Sequence, residues 1–118
     1  MSDVLPDIPR AEWSQVLEGL TDQYEGAEVT IELLDQEFGD ESEVQRLPLA
    51  YLEYDHQDDV VIVAVGGRDG RYPAVLRHIV EHPERILRDT LGPGGLVALD
   101  VVGRDESHTI VTLHEPRL

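Results

Sequence analysis

Arg71, Tyr72, Arg77, His78 and His82 bring cations, a phenol and imidazoles together on one short stretch of the chain. Guanidinium groups beside an apolar sheet can hold an anion, and a histidine among them can act as acid or base. The chemistry to expect from that group is anion or small-molecule binding, with His78 as the proton-transfer residue. The same side chains also read as ion pairs with Glu81, Glu84 and neighbouring acids. A site needs Arg77 and His78 to share a cleft, so opposite faces and no cleft would remove it.

Whether Tyr72–Glu81 is helix or strand decides a second question. Val75, Leu76, Ile79 and Val80 have helical spacing, while Ala74, Leu76, His78 and Val80 alternate as in a strand. On a helix, His78 and His82 would lie one turn apart and could share a zinc; on a strand they would lie about 13 Å apart. The glycine-rich Gly66–Gly70 joins the segment to the preceding apolar run as a hairpin, which favours the strand. No metal and no cofactor are therefore expected. The chain has no Cys, which excludes disulfides, thiolate metal sites and Cys nucleophiles. It has no Lys either, which removes Schiff-base chemistry and the P-loop lysine. No GxSxG, HExxH, GxGxxG or Walker sequence occurs, and Ser stands only at positions 2, 14, 42 and 107. No catalytic residue is assigned, and the balance leans away from an enzyme.

Acidic residues are concentrated in the first half. Residues 1–59 hold 17 acids against two Arg, whereas residues 60–118 hold eight acids against seven Arg. Such a field disfavours nucleic acid and anionic lipid as partners of that half. Asp35–Glu43 carries five acids in nine residues. It lacks the ligand spacing, the sixth-position Gly and the flanking helices of a calcium loop, and reads as a solvated loop. His56 within Asp55–Asp59 reads as an exposed turn.

The elements that must position these groups are organised around Val60–Val65. Six apolar residues, four of them Val, suit a central strand covered on both faces. Before it, Pro9–Glu12 opens a helix whose stripe is Trp13, Val16, Leu17, Leu20 and Tyr24, and Gly26 ends it. Trp13 is expected as a core anchor, and Gly19 as a point of close approach. Glu28–Leu34 alternates as a strand; Val44–Tyr54 is a second, with Pro48 at an edge or bulge. Glu84–Thr90 is a short strand beyond Pro83. Leu96–Val102 and Thr109–Leu113 form a last hairpin, with Val97, Leu99 and Val101 facing Thr109, Val111 and Leu113. The fold class is α+β: one N-terminal amphipathic helix packed on a mostly antiparallel meander of six or seven strands. One helix covers one face, so the sheet is expected to curl or to be covered by a second copy. Residues 1–118 are read as a single domain, with 1–8 as an extended N-terminal segment. With no signal-like N-terminus and no long apolar run, a cytoplasmic location is expected.

Several blocks, Leu47–Tyr51, Asp58–Gly67 and Arg71–Ile79 behind Ile8–Trp13, resemble a bacterial domain-of-unknown-function family, number 5335. The resemblance spans about Ile8 to Leu113. It implies one small cytoplasmic domain and carries no activity, ligand or catalytic residue to any position. The function favoured is therefore a small acidic interaction or regulatory module, a homodimer or bound to another protein, with no nucleic acid and no membrane as partner. The alternative is a small-molecule or anion-binding protein or enzyme, its site near Arg71, Tyr72, Arg77 and His78.

Overall fold

The computed structural model describes residues 7–35, 39–68, 72–91 and 96–114. A 3-10 turn at Arg10–Glu12 leads into α1 (Trp13–Tyr24), and seven strands follow: β1 (Glu28–Asp35), β2 (Gly39–Asp55), β3 (Val60–Arg68), β4 (Tyr72–Glu81), β5 (Pro83–Leu91), β6 (Leu96–Gly103) and β7 (His108–Leu113). Their order across the sheet is β4-β3-β2-β1-β7-β6-β5, and all pairings are antiparallel. The expected α+β class and antiparallel meander are what the chain adopts.

The periodic stripe of α1 is its buried face. Trp13, Leu17, Leu20 and Tyr24 are buried, and Val16 packs at their margin. Trp13 is the anchor: its indole N–H donates to the Ile8 carbonyl at 2.8 Å, and its ring meets Tyr54 edge to face at 5.0 Å. Gly26, at φ 88°, turns the chain out of the helix, and its N–H donates to Leu49. The close approach expected at Gly19 is absent, since a Cβ there would have no neighbour within 4 Å.

β2 is the strand that bends the sheet. Over Gly39–Pro48 it pairs with β1, and over Leu49–Asp55 it pairs with β3. Pro48 sits at the handover, where a residue without an N–H can be accommodated, and a bulge follows between Leu49 and Tyr51. The second half of β2 is left with a bare side, and α1 seals it. Leu52 N–H donates to Thr21 Oγ1 at 2.8 Å, Leu49 N–H donates to Ala27, and the Ser14 hydroxyl reaches the Tyr54 carbonyl. The expected loop at Asp35–Glu43 is corrected: Asp35 pairs with Gly39, and Leu33 with Glu41, so the β1–β2 hairpin continues through the acidic residues. Residues 36–38, within that segment, lie outside the described residues.

The expected central strand is corrected: β3 is an interior strand but lies second from the end of the sheet, whose middle strand is β1. Nor is it covered on both faces by layers. Val61, Val63 and Val65 face the core, whereas Val60 and Ile62 on the other face are only half-buried. Ala64 is 0% exposed for a local reason. It lies between its ladder partners Tyr51 and Arg77, and Arg77 Nε donates to the Tyr51 hydroxyl at 2.7 Å.

A single residue, His82, joins β4 to β5, although these strands are the two ends of the sheet order. The sheet must therefore fold until its edges meet at that corner. His82 takes φ 51° to make the turn; its N–H donates to the Asp59 carbonyl and its carbonyl accepts from Arg104. Val80 of β4 lies over Gly103 of β6 as a result. The core fills the wedge between the β3–β4 layer and the β5–β6–β7 layer, with Val61, Val63, Ile86, Leu99, Val101 and Val111 all buried. The sheet curls without closing. The last hairpin has the expected register, Val97 with Leu113, Leu99 with Val111, and Val101 with Thr109.

Candidate functional site

Beyond the corner at His82 the wedge stays open beside β4 and leaves a cleft of about 670 Å³. Leu33, Leu34 and Val80 are among its apolar lining, and Thr109, His78, His82, Arg104, Ser107, Glu81 and Asp105 are polar residues around it. His78 to Glu81 of β4 all line it, and strand alternation decides which of their side chains face the concave side. Even-numbered residues face the concave side: Val80 is buried, and His78 Nε2 stands 3.5 Å from Thr109 Oγ1 on β7. Odd-numbered residues face the convex side, where Arg77 bonds Tyr51.

The residues singled out in the sequence are therefore separated by the strand that carries them. His78 lines the cleft, and Arg77, one residue away, faces the opposite side. Tyr72 opens β4 opposite Arg68, with its side chain outside the described residues, as is the whole of Arg71. His82 lines the cleft from the corner, its Nδ1 3.4 Å from Asp59 Oδ2. Arg104, Ser107 and Asp59 join this neighbourhood from turns far away in sequence, and no motif marked them. Asp59 had one local signal, its place at the end of the Asp55–Asp59 turn, where it adopts φ 54°.

Asp59 is the centre of the corner. Its Oδ1 accepts from the Tyr54 hydroxyl at 2.7 Å and from Arg10 Nη1 at 3.4 Å. Arg10 also donates to the Pro83 carbonyl and lies 4.2 Å over the Trp13 ring, a cation–π contact. The Tyr54 hydrogen bond, more than the cations, holds the Asp59 carboxyl below the usual carboxylate range. Burial, then the bond to Asp59, pushes the Tyr54 phenol up. At the cleft margin the Ser107 hydroxyl donates to Asp105 Oδ1 at 2.7 Å, which lowers the Asp105 carboxyl. A serine hydroxyl committed to a carboxylate in a tight turn is held as a structural donor, not aimed at a histidine base. Among the described residues, no three His, Cys, Asp or Glu side chains group as metal ligands.

The second candidate surface is β4 itself. Among the described residues it pairs only with β3, and Val75, Leu76 and Ile79 on it are the exposed large hydrophobic residues, at 38%, 58% and 51%. The opposite edge differs. Asp7 bridges Leu87, Ile8 N–H donates to the Ile86 carbonyl, and Arg85 pairs with Asp7 at 3.3 Å.

Among the described residues, no helix is long and apolar enough to cross a membrane. A protein of Aquifex aeolicus (strain VF5), named only as an uncharacterized protein, is 27% identical to this chain over 106 residues, covering 90% of this chain and 88% of its own length. No solved structure matches. The chain belongs to the family of unknown function DUF5335, whose model matches residues 4–118.

Proposed function

We propose that the protein is a small interaction module that works by strand addition at β4, and that the strand it receives is the β4 of a second copy. The observation that carries this is the coincidence, among the described residues, of an unpaired strand edge with the exposed large apolar side chains. A lone exposed apolar residue needs no explanation, but Val75 and Ile79 on the convex side and Leu76 on the concave side leave both faces of this edge strand apolar and open to further pairing. Charges on the exposed residues of β4 support a second copy as the occupant. Arg77 and Glu81 both lie on its convex side, flanking Ile79, so the strand is complementary to itself when antiparallel. Sedimentation velocity should give a dimer for the wild-type protein at tens of micromolar. Ile79→Lys should weaken that dimer by roughly 100-fold, since burying two such side chains contributes a few kcal/mol. Thermal stability of the subunit should stay within about 0.5 kcal/mol, because the site is on the surface. A wild-type protein that stays monomeric to several hundred micromolar would sink the proposal.

The cleft supports a second reading, small-molecule binding beside His78, for which the apolar lining and the polar surround are the observation. Native mass spectrometry of protein purified without chelator reads both at once. A monomer with added mass, lost in His78→Ala, would move the function to the cleft.

A further inference from the structure

Resting on the strand-addition reading, we infer that the two β4 strands pair in one register, centred on Ile79 and held by two reciprocal ion pairs between Arg77 and the partner's Glu81. A two-fold axis through the pair continues the sheet, so opposed residues must share a face and their numbers must sum to an even value. Pro73 lacks an N–H and restricts pairing at the start of the strand, and His82 ends it at φ 51°. The centres that remain are Arg77, His78 and Ile79. Centring on Arg77 sets two guanidinium groups directly against each other, which is destabilising. Centring on His78 sets Arg77 against the partner's Ile79 and leaves Glu81 opposite an apolar residue. Centring on Ile79 opposes the two Ile79 side chains, half exposed in the subunit, and places a cation against an anion on both sides.

In the subunit Arg77 Nε donates to the Tyr51 hydroxyl across Ala64, so its side chain lies on the convex face over β3 and has to swing toward the outer edge to meet the partner's Glu81. Ile62, the β3 ladder partner of Ile79, is half-buried on the same face and extends the apolar centre. On the concave face His78 comes opposite the partner's Val80, so each copy's β4 borders the other's cleft.

Exchanging the charges tests the register. Arg77→Glu alone and Glu81→Arg alone each convert both pairs to like charges, and each should dimerise about 10- to 30-fold more weakly than wild type. Mixed in equal amounts, they should form a heterodimer of near wild-type affinity, because both opposed pairs become opposite in sign. Both residues are exposed, so each variant should fold as the wild type does, with circular dichroism melts as the check. The chain has no Cys, so Ile79→Cys gives a second readout: a self-opposed cysteine should cross-link to a covalent dimer under mild oxidation, and Arg77→Cys should not. A wild-type dimer whose charge-exchanged variants fail to complement, or which cross-links at 77 in place of 79, overturns the register and leaves the edge reading standing. A wild-type monomer overturns both.

Discussion

The two ends of the sheet solve the same problem in opposite ways. Each end strand presents a row of backbone donors and acceptors that another chain could pair with. At β5 the protein's own N-terminal segment takes that place through Asp7 and Ile8, Arg85 adds a charge, and Trp13 fixes the segment by bonding the Ile8 carbonyl. At β4 nothing among the described residues pairs with the outer edge, and its exposed side chains include the apolar Val75, Leu76 and Ile79. Among the described residues, one edge is covered at Ile86 and Leu87 and the other has no strand beside it, and strand addition at β4 is proposed from that difference. The largest effect should come from breaking the covered side. Trp13→Ala removes a side chain that is 1% exposed and should cost about 3–5 kcal/mol in urea denaturation. If the edges are distinct in role, the loss appears in subunit stability, the converse of the Ile79→Lys outcome.

A third bare edge, the second half of β2, sharpens the comparison because a helix and not a strand covers it. Thr21 is the residue that does so. Its hydroxyl oxygen accepts from Leu52 N–H at 2.8 Å while its proton is within reach of the Leu17 and Leu52 carbonyls. Thr21→Val keeps the shape and leaves a part-buried N–H without its acceptor, so the expected loss is about 1–3 kcal/mol. Hydrogen exchange at Leu52 should accelerate with it. An unchanged melting curve would mean that water replaces the hydroxyl and that this edge is not sealed.

The corner where the two end strands meet is tested by pH. Asp59 is held below its ordinary value of 3.8 by the Tyr54 hydroxyl, with His82 and Arg10 adding to the effect. A carboxyl depressed in the folded state binds fewer protons there than in the unfolded chain. Its contribution is therefore present above the ordinary value and lost as pH falls through the depressed one. The urea midpoint of the wild type should drop between pH 5 and pH 2.5 by more than that of Asp59→Asn. Equal drops would assign the acid sensitivity to the chain's other carboxylates.

What was legible in the sequence follows the periods that local packing imposes. The stripe of α1 and the alternation of β6 and β7 each answer to one buried face, so spacing alone gave their partners. The β1–β2 hairpin is not legible at Asp40–Glu43 because those residues are polar, whereas a ladder is made of backbone groups and does not require apolar side chains. Pro48 was legible as an irregularity but not as the point where one strand changes partners, since that depends on β3 arriving from elsewhere. At the site, period two already separates Arg77 from His78; reading the strand correctly implied that they could not share a face. Arg104, Ser107 and Asp59 were out of reach because the single-residue link at His82 brings distant turns together, and no local pattern encodes that corner.

The smallest expected effect concerns the outer face of the helix that covers β2. Gly19 sits in mid-helix on the exposed side, with no atom within 4 Å of where a Cβ would be and no positive φ. Neither sterics nor backbone conformation requires glycine there. Gly19→Ala should therefore stabilise the protein by about 0.5–1 kcal/mol, mostly by reducing the freedom of the unfolded chain. Because α1 lies away from β4 and the gain arises within the subunit, the dimer constant should not move with it. A rise in urea midpoint with unchanged sedimentation would separate the two edges in the opposite direction from Ile79→Lys. A loss of stability would instead show that this face of the helix touches something, and that the cover over β2 is itself part of an interface.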